Sequence, residues 1–145
     1  MDLGLSRSGD YAVRAALTLA SGERGRYRKT RDVARSMALP ESYTPHILRS
    51  LALAGMAEAR AGRSGGYRLS RPPEGITLLE VVEVAEGPLE TVRCTLRGGP
   101  CGSDGHCAVH PAWIALAAAA RESLAGWTLA DLVSSGLSSS GAVRS

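Results

Sequence analysis

Two helical patterns separated by a Leu-Pro turn constrain the fold of this chain more than any other feature. The first pattern covers residues 30–37 and begins with a threonine that can cap a helix. The second covers residues 42–55, with a serine that can cap its start and a glycine at its end. Pro45 lies in its first turn, where the missing N–H is tolerated. A short helix, a tight turn and a longer helix are typical of a helix-turn-helix.

A further helix precedes this pattern and a hairpin follows it. Apolar residues at helical spacing predict a helix over residues 8–20. Two short alternating runs, 56–60 and 67–70, flank a Gly-rich tip that bears an arginine, as in a β-hairpin. The fold class predicted is therefore mainly α, a winged helix-turn-helix with a two-stranded β wing. We assign residues 1–73 to a DNA-binding domain of this kind.

The second half of the chain contains two more helical patterns and a polar end. Residues 76–84 have helical periodicity, with a threonine and a glutamate at the spacing of a capping box. Strong helix formers fill residues 111–126, and their apolar stripe is best buried against a second copy. We therefore expect a long C-terminal dimerisation helix within residues 111–133. Residues 134–145 are rich in Ser and Gly and predict a disordered tail.

The charge of the chain is divided unevenly between its halves. Residues 1–73 carry 13 lysines and arginines against 6 acids, whereas residues 74–145 carry 4 against 8. A basic half of this kind fits a polyanionic partner, here double-stranded DNA, and it fits equally well a set of arginines that replace lysines on solvated faces. No apolar run approaches the roughly 20 residues that cross a bilayer, and no signal-peptide pattern is present, so we expect a cytoplasmic protein without membrane contact.

Polar side chains at the start of the second helix of a helix-turn-helix reach base edges, because this helix enters the major groove with its N-terminus first. The candidate base-contacting residues are Ser42, Tyr43, Thr44 and His46. Other polar and basic groups suit phosphates or the minor groove. These candidates are Thr30, Arg31 and Arg49 in the helices, with Arg60, Arg63, Ser64 and Gly65 in the wing.

Three cysteines lie in a Gly-rich stretch of residues 74–110, which we interpret as a linking helix followed by a Cys-rich loop. Cys94, Cys101 and Cys107 are separated by six and five residues. Thiolates are soft ligands that suit an iron–sulfur cluster or zinc, and either needs a fourth ligand. The candidates are His110, close in sequence, and Asp10, which would have to reach the site across a fold or a dimer interface.

Two other readings of the cysteines stay open at this point. The site could hold a structural zinc ion or no metal in a DNA-binding regulator. A thiol oxidoreductase is the remote alternative, since no C-x-x-C pair and no catalytic Ser/His/Asp set is present. The first alternative keeps the DNA-binding function, whereas the second replaces it.

Three motifs resemble those of one family. They are residues 8–14, the wing residues 62–67, and the three cysteines with the Ala-Val-His-Pro-Ala-Trp sequence that follows Cys107. Over residues 6–133 the chain resembles the Rrf2 family of winged-helix regulators, which includes the iron–sulfur regulator IscR and the nitric-oxide-sensing repressor NsrR. The resemblance implies a homodimer on a palindromic operator, with long helices crossing between subunits.

The resemblance also implies that the cysteines ligate a cluster whose state alters DNA affinity. In IscR-like members a histidine completes a [2Fe-2S] site, which here would be His110. In NsrR-like members an acidic residue of the first helix completes a [4Fe-4S] site, which here would be Asp10. The first cysteine gap is one residue longer than usual and Pro45 replaces a polar residue. The resemblance as a whole predicts a repressor that senses redox state, nitric oxide, or the supply of iron or of clusters.

Overall fold

The computed structural model describes residues 3–89 and 108–135, where helices and one hairpin follow the order expected from the sequence. The cysteine loop and most of the expected tail lie outside these residues. Pro73–Gly75 forms a single 3-10 turn. The elements are α1 (Arg7–Ser21), α2 (Thr30–Ser36), α3 (Thr44–Leu53), β1 (Ala57–Arg60), β2 (Gly66–Leu69), α4 (Leu78–Glu86), α5 (His110–Ala125) and α6 (Leu129–Ser134).

Helix α1 is the centre of the core. The hydroxyl of Ser6 caps it by accepting a hydrogen bond from the Gly9 N–H at 3.2 Å. One face of the helix carries Ala12, Ala15 and Ala16, all at most 2% exposed. Because these side chains are small, α3, α4 and α6 all pack closely against α1.

The turn between α2 and α3 differs from the sequence expectation at both helix starts. Thr30 is the first residue of α2 and no side chain caps that helix, so the predicted threonine cap is wrong. The predicted Ser42 cap is wrong as well, because Tyr43 is the residue that precedes α3. Ala38, with φ of 51°, ends α2 in the left-handed region, and the Leu39 N–H then bonds the Ala34 carbonyl at 2.8 Å.

Strands β1 and β2 form the antiparallel wing, in which Arg60 pairs with Gly66. The loop between α1 and α2 pairs with strand β2 of the wing. Arg28 and Tyr67 exchange two backbone hydrogen bonds, both of 2.8 Å. At Gly66, φ is +136° and a Cβ would lie 2.1 Å from the Arg28 carbonyl oxygen, so only glycine fits there.

Helix α4 begins with the capping box that the sequence predicts. The Thr77 hydroxyl accepts from the Glu80 N–H at 3.2 Å, and the Glu80 carboxylate accepts from the Thr77 N–H at 2.8 Å. Gly87, with φ of +82°, ends the helix before the chain enters the cysteine segment. The capping box and Gly87 therefore define the two ends of α4.

Helix α5 leads to a short helix, α6, that the sequence analysis did not predict. Thr128 and Asp131 form a second capping box, and α6 runs to Ser134, one residue into the expected tail. The Leu129 N–H bonds the Ile76 carbonyl at 2.9 Å, and both side chains are fully buried. The C-terminal segment therefore completes the core of the N-terminal half. No helix among residues 3–89 and 108–135 is long and apolar enough to cross a membrane.

Candidate nucleic-acid interface

The exposed start of α3 presents two of the four predicted base-contacting residues. Ser42 and His46 are exposed. Thr44 is only 1% exposed, because its side chain turns inward and its hydroxyl donates to the Pro40 carbonyl at 2.8 Å. Thr44 therefore fixes the turn between α2 and α3 and offers no group to a partner.

Tyr43, the remaining residue of that set, is half-buried and joins α3 to α1. Its hydroxyl lies 2.8 Å from the Ser8 hydroxyl. Its ring packs edge-on against the ring of Tyr11, with centroids 5.6 Å apart, and lies 5.5 Å from the ring of His46. The first turn of α3 is thus held against the first turns of α1.

Arginine side chains divide into two groups according to their partners. Among the described residues, seven arginines form ion pairs with carboxylates: Arg14, Arg24, Arg26, Arg35, Arg68, Arg71 and Arg121. Arg28 is half-buried and donates to the Thr18 carbonyl at 2.8 Å. In the part of the chain that the structure describes, the arginines without an ion pair or hydrogen bond are Arg7, Arg31, Arg49, Arg60 and Arg63.

Four of these five arginines are the ones that sequence reasoning selected. Arg31 lies on α2, Arg49 on α3, and Arg60 and Arg63 on the wing; all four are exposed. An exposed arginine without a carboxylate keeps its full charge for an external anion. The helix-turn-helix and the wing therefore carry cations whose charge no side chain of the described residues neutralises. Thr30, predicted beside Arg31, is half-buried.

The wing tip is a tight turn whose shape depends on glycine. The Gly65 N–H donates to the Gly62 carbonyl at 3.1 Å, and a Cβ on Gly65 would lie 2.0 Å from the Arg60 carbonyl oxygen. Gly65 is buried, so it shapes the turn and offers little surface to a partner, whereas Arg63 and Ser64 are exposed. The tip thus presents a guanidinium and a hydroxyl on a rigid backbone.

A broad groove separates the wing tip from the loop before α2. Arg60, Arg63 and Ser64 line one side, and Arg26 and Lys29 line the other. The residues of this loop were not among the candidates predicted from the sequence. The signal was present in the Arg-Gly-Arg-Tyr-Arg-Lys run that ends at Lys29, where cations alternate with an aromatic ring.

The proposed fourth ligands of the cluster have different surroundings. The Asp10 carboxylate accepts a hydrogen bond from Arg14 at 2.8 Å, and its side chain is 42% exposed on α1. His110 is the first residue of α5 and is partly buried. Within residues 3–89 and 108–135, no three potential metal ligands converge. The three cysteines lie outside the described residues.

Two glutamates near the end of α4 hold the chain just before the cysteine segment. Glu83 accepts hydrogen bonds from Arg121 of α5 at 2.6 Å and from the Leu89 N–H at 3.3 Å. Glu86 accepts from the Ser6 N–H at 2.9 Å and also from the Ser6 hydroxyl. The end of α4 therefore contacts both α5 and the start of α1.

Comparison with known proteins identifies the family of the chain. The profile of the Rrf2 family, described as iron-dependent transcriptional regulators, matches residues 5–135. A Mycobacterium tuberculosis H37Rv protein named as an HTH-type transcriptional regulator, Rv1287, is 35% identical over 133 residues, which are 92% of this chain and 83% of that protein.

Two solved structures are similar over nearly the whole chain. CymR, the global cysteine regulator of Bacillus subtilis, gives a TM-score of 0.78 at 28% identity and covers 92% of this chain and 98% of CymR. IscR of T. potens gives a TM-score of 0.73 at 26% identity and covers 94% of this chain and 90% of that chain.

These relatives confirm the winged-helix fold and the family resemblance drawn from the motifs. They are regulators and not enzymes, so the thiol oxidoreductase alternative is wrong. The unpaired arginines on α2, α3 and the wing lie on the elements with which winged helices contact DNA. The chain therefore belongs to the Rrf2 family and is a DNA-binding transcriptional regulator.

Proposed function

We propose that this regulator is a homodimeric repressor whose affinity for a palindromic operator is controlled by an iron–sulfur cluster. The observation that carries the proposal is the set of exposed arginines without ion pairs on α2, α3 and the wing. The three cysteines between α4 and α5 supply the second part, because no permanent disulfide accounts for three thiols in a reducing compartment.

The start of α3 enters the major groove in this proposal. Ser42 and His46 are the exposed polar residues there and contact base edges. Arg31 and Arg49 contact phosphates, which fix the orientation of the helix without reading sequence. Arg63 at the wing tip enters the adjacent minor groove. Thr44 and Gly65 are excluded from the interface because both are buried.

Cys94, Cys101 and Cys107 would hold the cluster, with His110 or Asp10 as the fourth ligand. The donor set fits, since three thiolates with one imidazole or carboxylate are ligands that iron–sulfur clusters accept. His110 and Asp10 both remain candidates for this chain, and the Asp10 carboxylate accepts its hydrogen bond from Arg14 through Oδ1. A bound cluster would supply redox chemistry and reactivity toward nitric oxide, and its presence would depend on the supply of iron.

A path of contacts leads from the cysteine segment to α3. Glu86, at the end of α4, bonds to Ser6 at the start of α1. Ser8, two residues later, bonds to Tyr43 at the start of α3. A dimer binds two half-sites about one helical turn apart, so a small shift of one α3 relative to the other weakens binding. A displacement of α4 that accompanies a change in the cysteine segment would act through these contacts.

The cluster is tested by anaerobic purification, visible absorption spectroscopy, and iron and sulfide analysis. We expect visible bands with equal iron and sulfide, and their loss in Cys101→Ala. Retention of the spectrum in Asp10→Ala but not in His110→Ala would assign His110 as the fourth ligand, and the opposite pattern would assign Asp10. The number of iron atoms per chain and the shape of the bands would separate a [2Fe-2S] from a [4Fe-4S] cluster. A colourless anaerobic protein, with zinc or without metal, would contradict the cluster.

The DNA interface is tested separately with a duplex that the wild-type protein selects from a random library. Arg49→Ala should weaken binding and reduce the slope of log affinity against log salt by roughly one. Arg24→Ala is the matched control, because Arg24 is already paired with Glu74. Equal effects of the two variants would contradict the interface. Unchanged affinity of Cys101→Ala would contradict sensing while leaving DNA binding intact.

A further inference from the structure

Tyr27, in the loop between α1 and α2, packs against the outer face of the wing. The guanidinium carbon of Arg68 lies 4.5 Å from the centre of the Tyr27 ring, and that of Arg60 lies 5.4 Å from it. Two guanidinium groups within about 6 Å of one ring are within the range of cation–π attraction. The ring therefore contacts both strands of the wing, although sequence reasoning gave it no role.

The two arginines on this ring differ in what else holds them. Arg68 forms an ion pair with Glu58 at 2.9 Å and donates to the Gly25 carbonyl at 3.1 Å. It therefore belongs to the scaffold of the wing. The guanidinium of Arg60 is exposed and contacts the Tyr27 ring, and it forms no ion pair or hydrogen bond within the described residues. Among the described residues, this ring is what restricts the position of an exposed arginine that can meet DNA.

The loop that carries Tyr27 is itself fixed to the wing on both sides of the ring. On one side, Arg28 and Tyr67 exchange two backbone hydrogen bonds of 2.8 Å. On the other, Gly25 accepts the hydrogen bond from Arg68. The Lys29 ammonium also donates to the Gly62 carbonyl at 2.7 Å, at the start of the wing tip. The ring of Tyr27 is therefore a fixed support and not a mobile loop side chain.

We infer that Tyr27 is a positioning residue for DNA binding: its ring holds the Arg60 guanidinium extended beside the groove, where it contacts the phosphate backbone. The inference rests on the interface proposed above. An ordered arginine loses less side-chain entropy when it binds than a free one does. An exposed cation–π contact corresponds to roughly a two- to fivefold change in affinity.

The test is a double-mutant cycle on the full chain with the selected operator duplex. Tyr27→Leu should weaken binding roughly two- to fivefold, and Tyr27→Phe, which keeps the ring, should bind like the wild type. In an Arg60→Ala background the Tyr27→Leu change should have no further effect, because the supported side chain is absent. Thermal unfolding of each variant shows that the comparison is made on folded protein, and Tyr27→Met replaces Tyr27→Leu if that variant does not fold.

The outcomes separate this inference from the proposed interface. Additive effects of Tyr27→Leu and Arg60→Ala, or an equal loss in Tyr27→Phe and Tyr27→Leu, would overturn the positioning role. Wild-type affinity in Tyr27→Leu with weakened binding in Arg60→Ala would also overturn it, while the interface stands. Wild-type affinity in Arg60→Ala and Arg63→Ala together would contradict the wing contact on which the inference depends.

Discussion

At the scale of single residues, Thr44 and His46 lie two residues apart at the start of α3 and have different surroundings. Thr44 is buried and bonded to Pro40, whereas His46 is exposed. We expect Thr44→Val to lower the free energy of unfolding by about 1 kcal/mol, because a buried hydrogen bond is lost, without changing operator affinity. We expect His46→Ala to weaken operator binding without affecting stability. Denaturant unfolding and a DNA titration of both variants check this, and a loss of affinity in stable Thr44→Val would contradict it.

Glu80 gives the protein a dependence on acidic pH. Burial raises the pKa of Glu80, but hydrogen bonds from the Thr77 N–H and from Arg71 outweigh it and hold the pKa below its usual value. A carboxylate with a lowered pKa stabilises the fold above its unfolded pKa, about 4.3, and this contribution is lost as the pH falls through the folded value.

The free energy of unfolding of the wild type should therefore fall more steeply below about pH 4.5 than that of Glu80→Gln. Denaturant unfolding at a series of pH values measures the difference. Glu122→Gln is the control, because Glu122 is exposed on α5 and forms no ion pair among the described residues. Parallel curves for the wild type and Glu80→Gln would show that Glu80 makes no such contribution.

Features whose signal lies within a few residues of sequence were predicted correctly. The capping box of Thr77 and Glu80 was predicted because both partners lie within one helical turn. The caps expected at Thr30 and Ser42 were wrong, since the left-handed turn at Ala38 decides where the helices end and begin. The burial of Thr44 depends on the same turn and has no separate signal in the sequence.

At the scale of elements, the helices and the wing were predictable because each carries its own periodicity. Helix α6 was missed because it has only six residues and lies beside a Ser-rich stretch. Its capping box could have revealed it, since Thr128 and Asp131 have the same spacing as the pair at α4. The contact of α6 with the core could not be predicted, because Leu129 meets Ile76 across 53 residues of chain.

The role of α6 in the core leads to a stability prediction. Leu129 is fully buried, so Leu129→Ala should lower the free energy of unfolding by about 2–5 kcal/mol through lost contacts and a cavity. Leu132→Ala, at a half-buried position of the same helix, should cost less. Denaturant unfolding compares the two variants. Equal costs, or a cost below about 1 kcal/mol for Leu129→Ala, would show that α6 adds little to the core.

At the scale of the whole molecule, no other element within residues 3–89 and 108–135 fully covers α5. None of its residues is fully buried, and Ile114 and Leu116 are 46% and 48% exposed. Leu116 also borders an apolar groove that includes Trp113 and Leu5. A helix of this composition needs a further apolar surface, which fits the dimer that we propose.

Leu116→Glu should therefore convert the dimer into a folded monomer, because a charge cannot be buried without a partner. Sedimentation velocity measures the mass, and circular dichroism shows that helix content is kept. Ala118→Glu is the control, since Ala118 is exposed and lies two residues further along the helix, on another face. A dimer that persists in Leu116→Glu would exclude this face of α5 from the interface.

The antiparallel bridge between Thr77 and Thr128 has a consequence for how members of such a family can diversify. The Leu78 N–H donates to the Trp127 carbonyl at 2.8 Å, so the start of α4 lies beside the segment that leads from α5 into α6. Between these two points, α4 packs against α1, and the cysteine segment and α5 follow it along the chain. We expect homologues to differ in the cysteine segment and α5, or a chimaera to exchange them, while α4, α6 and the DNA-binding helices keep the same core.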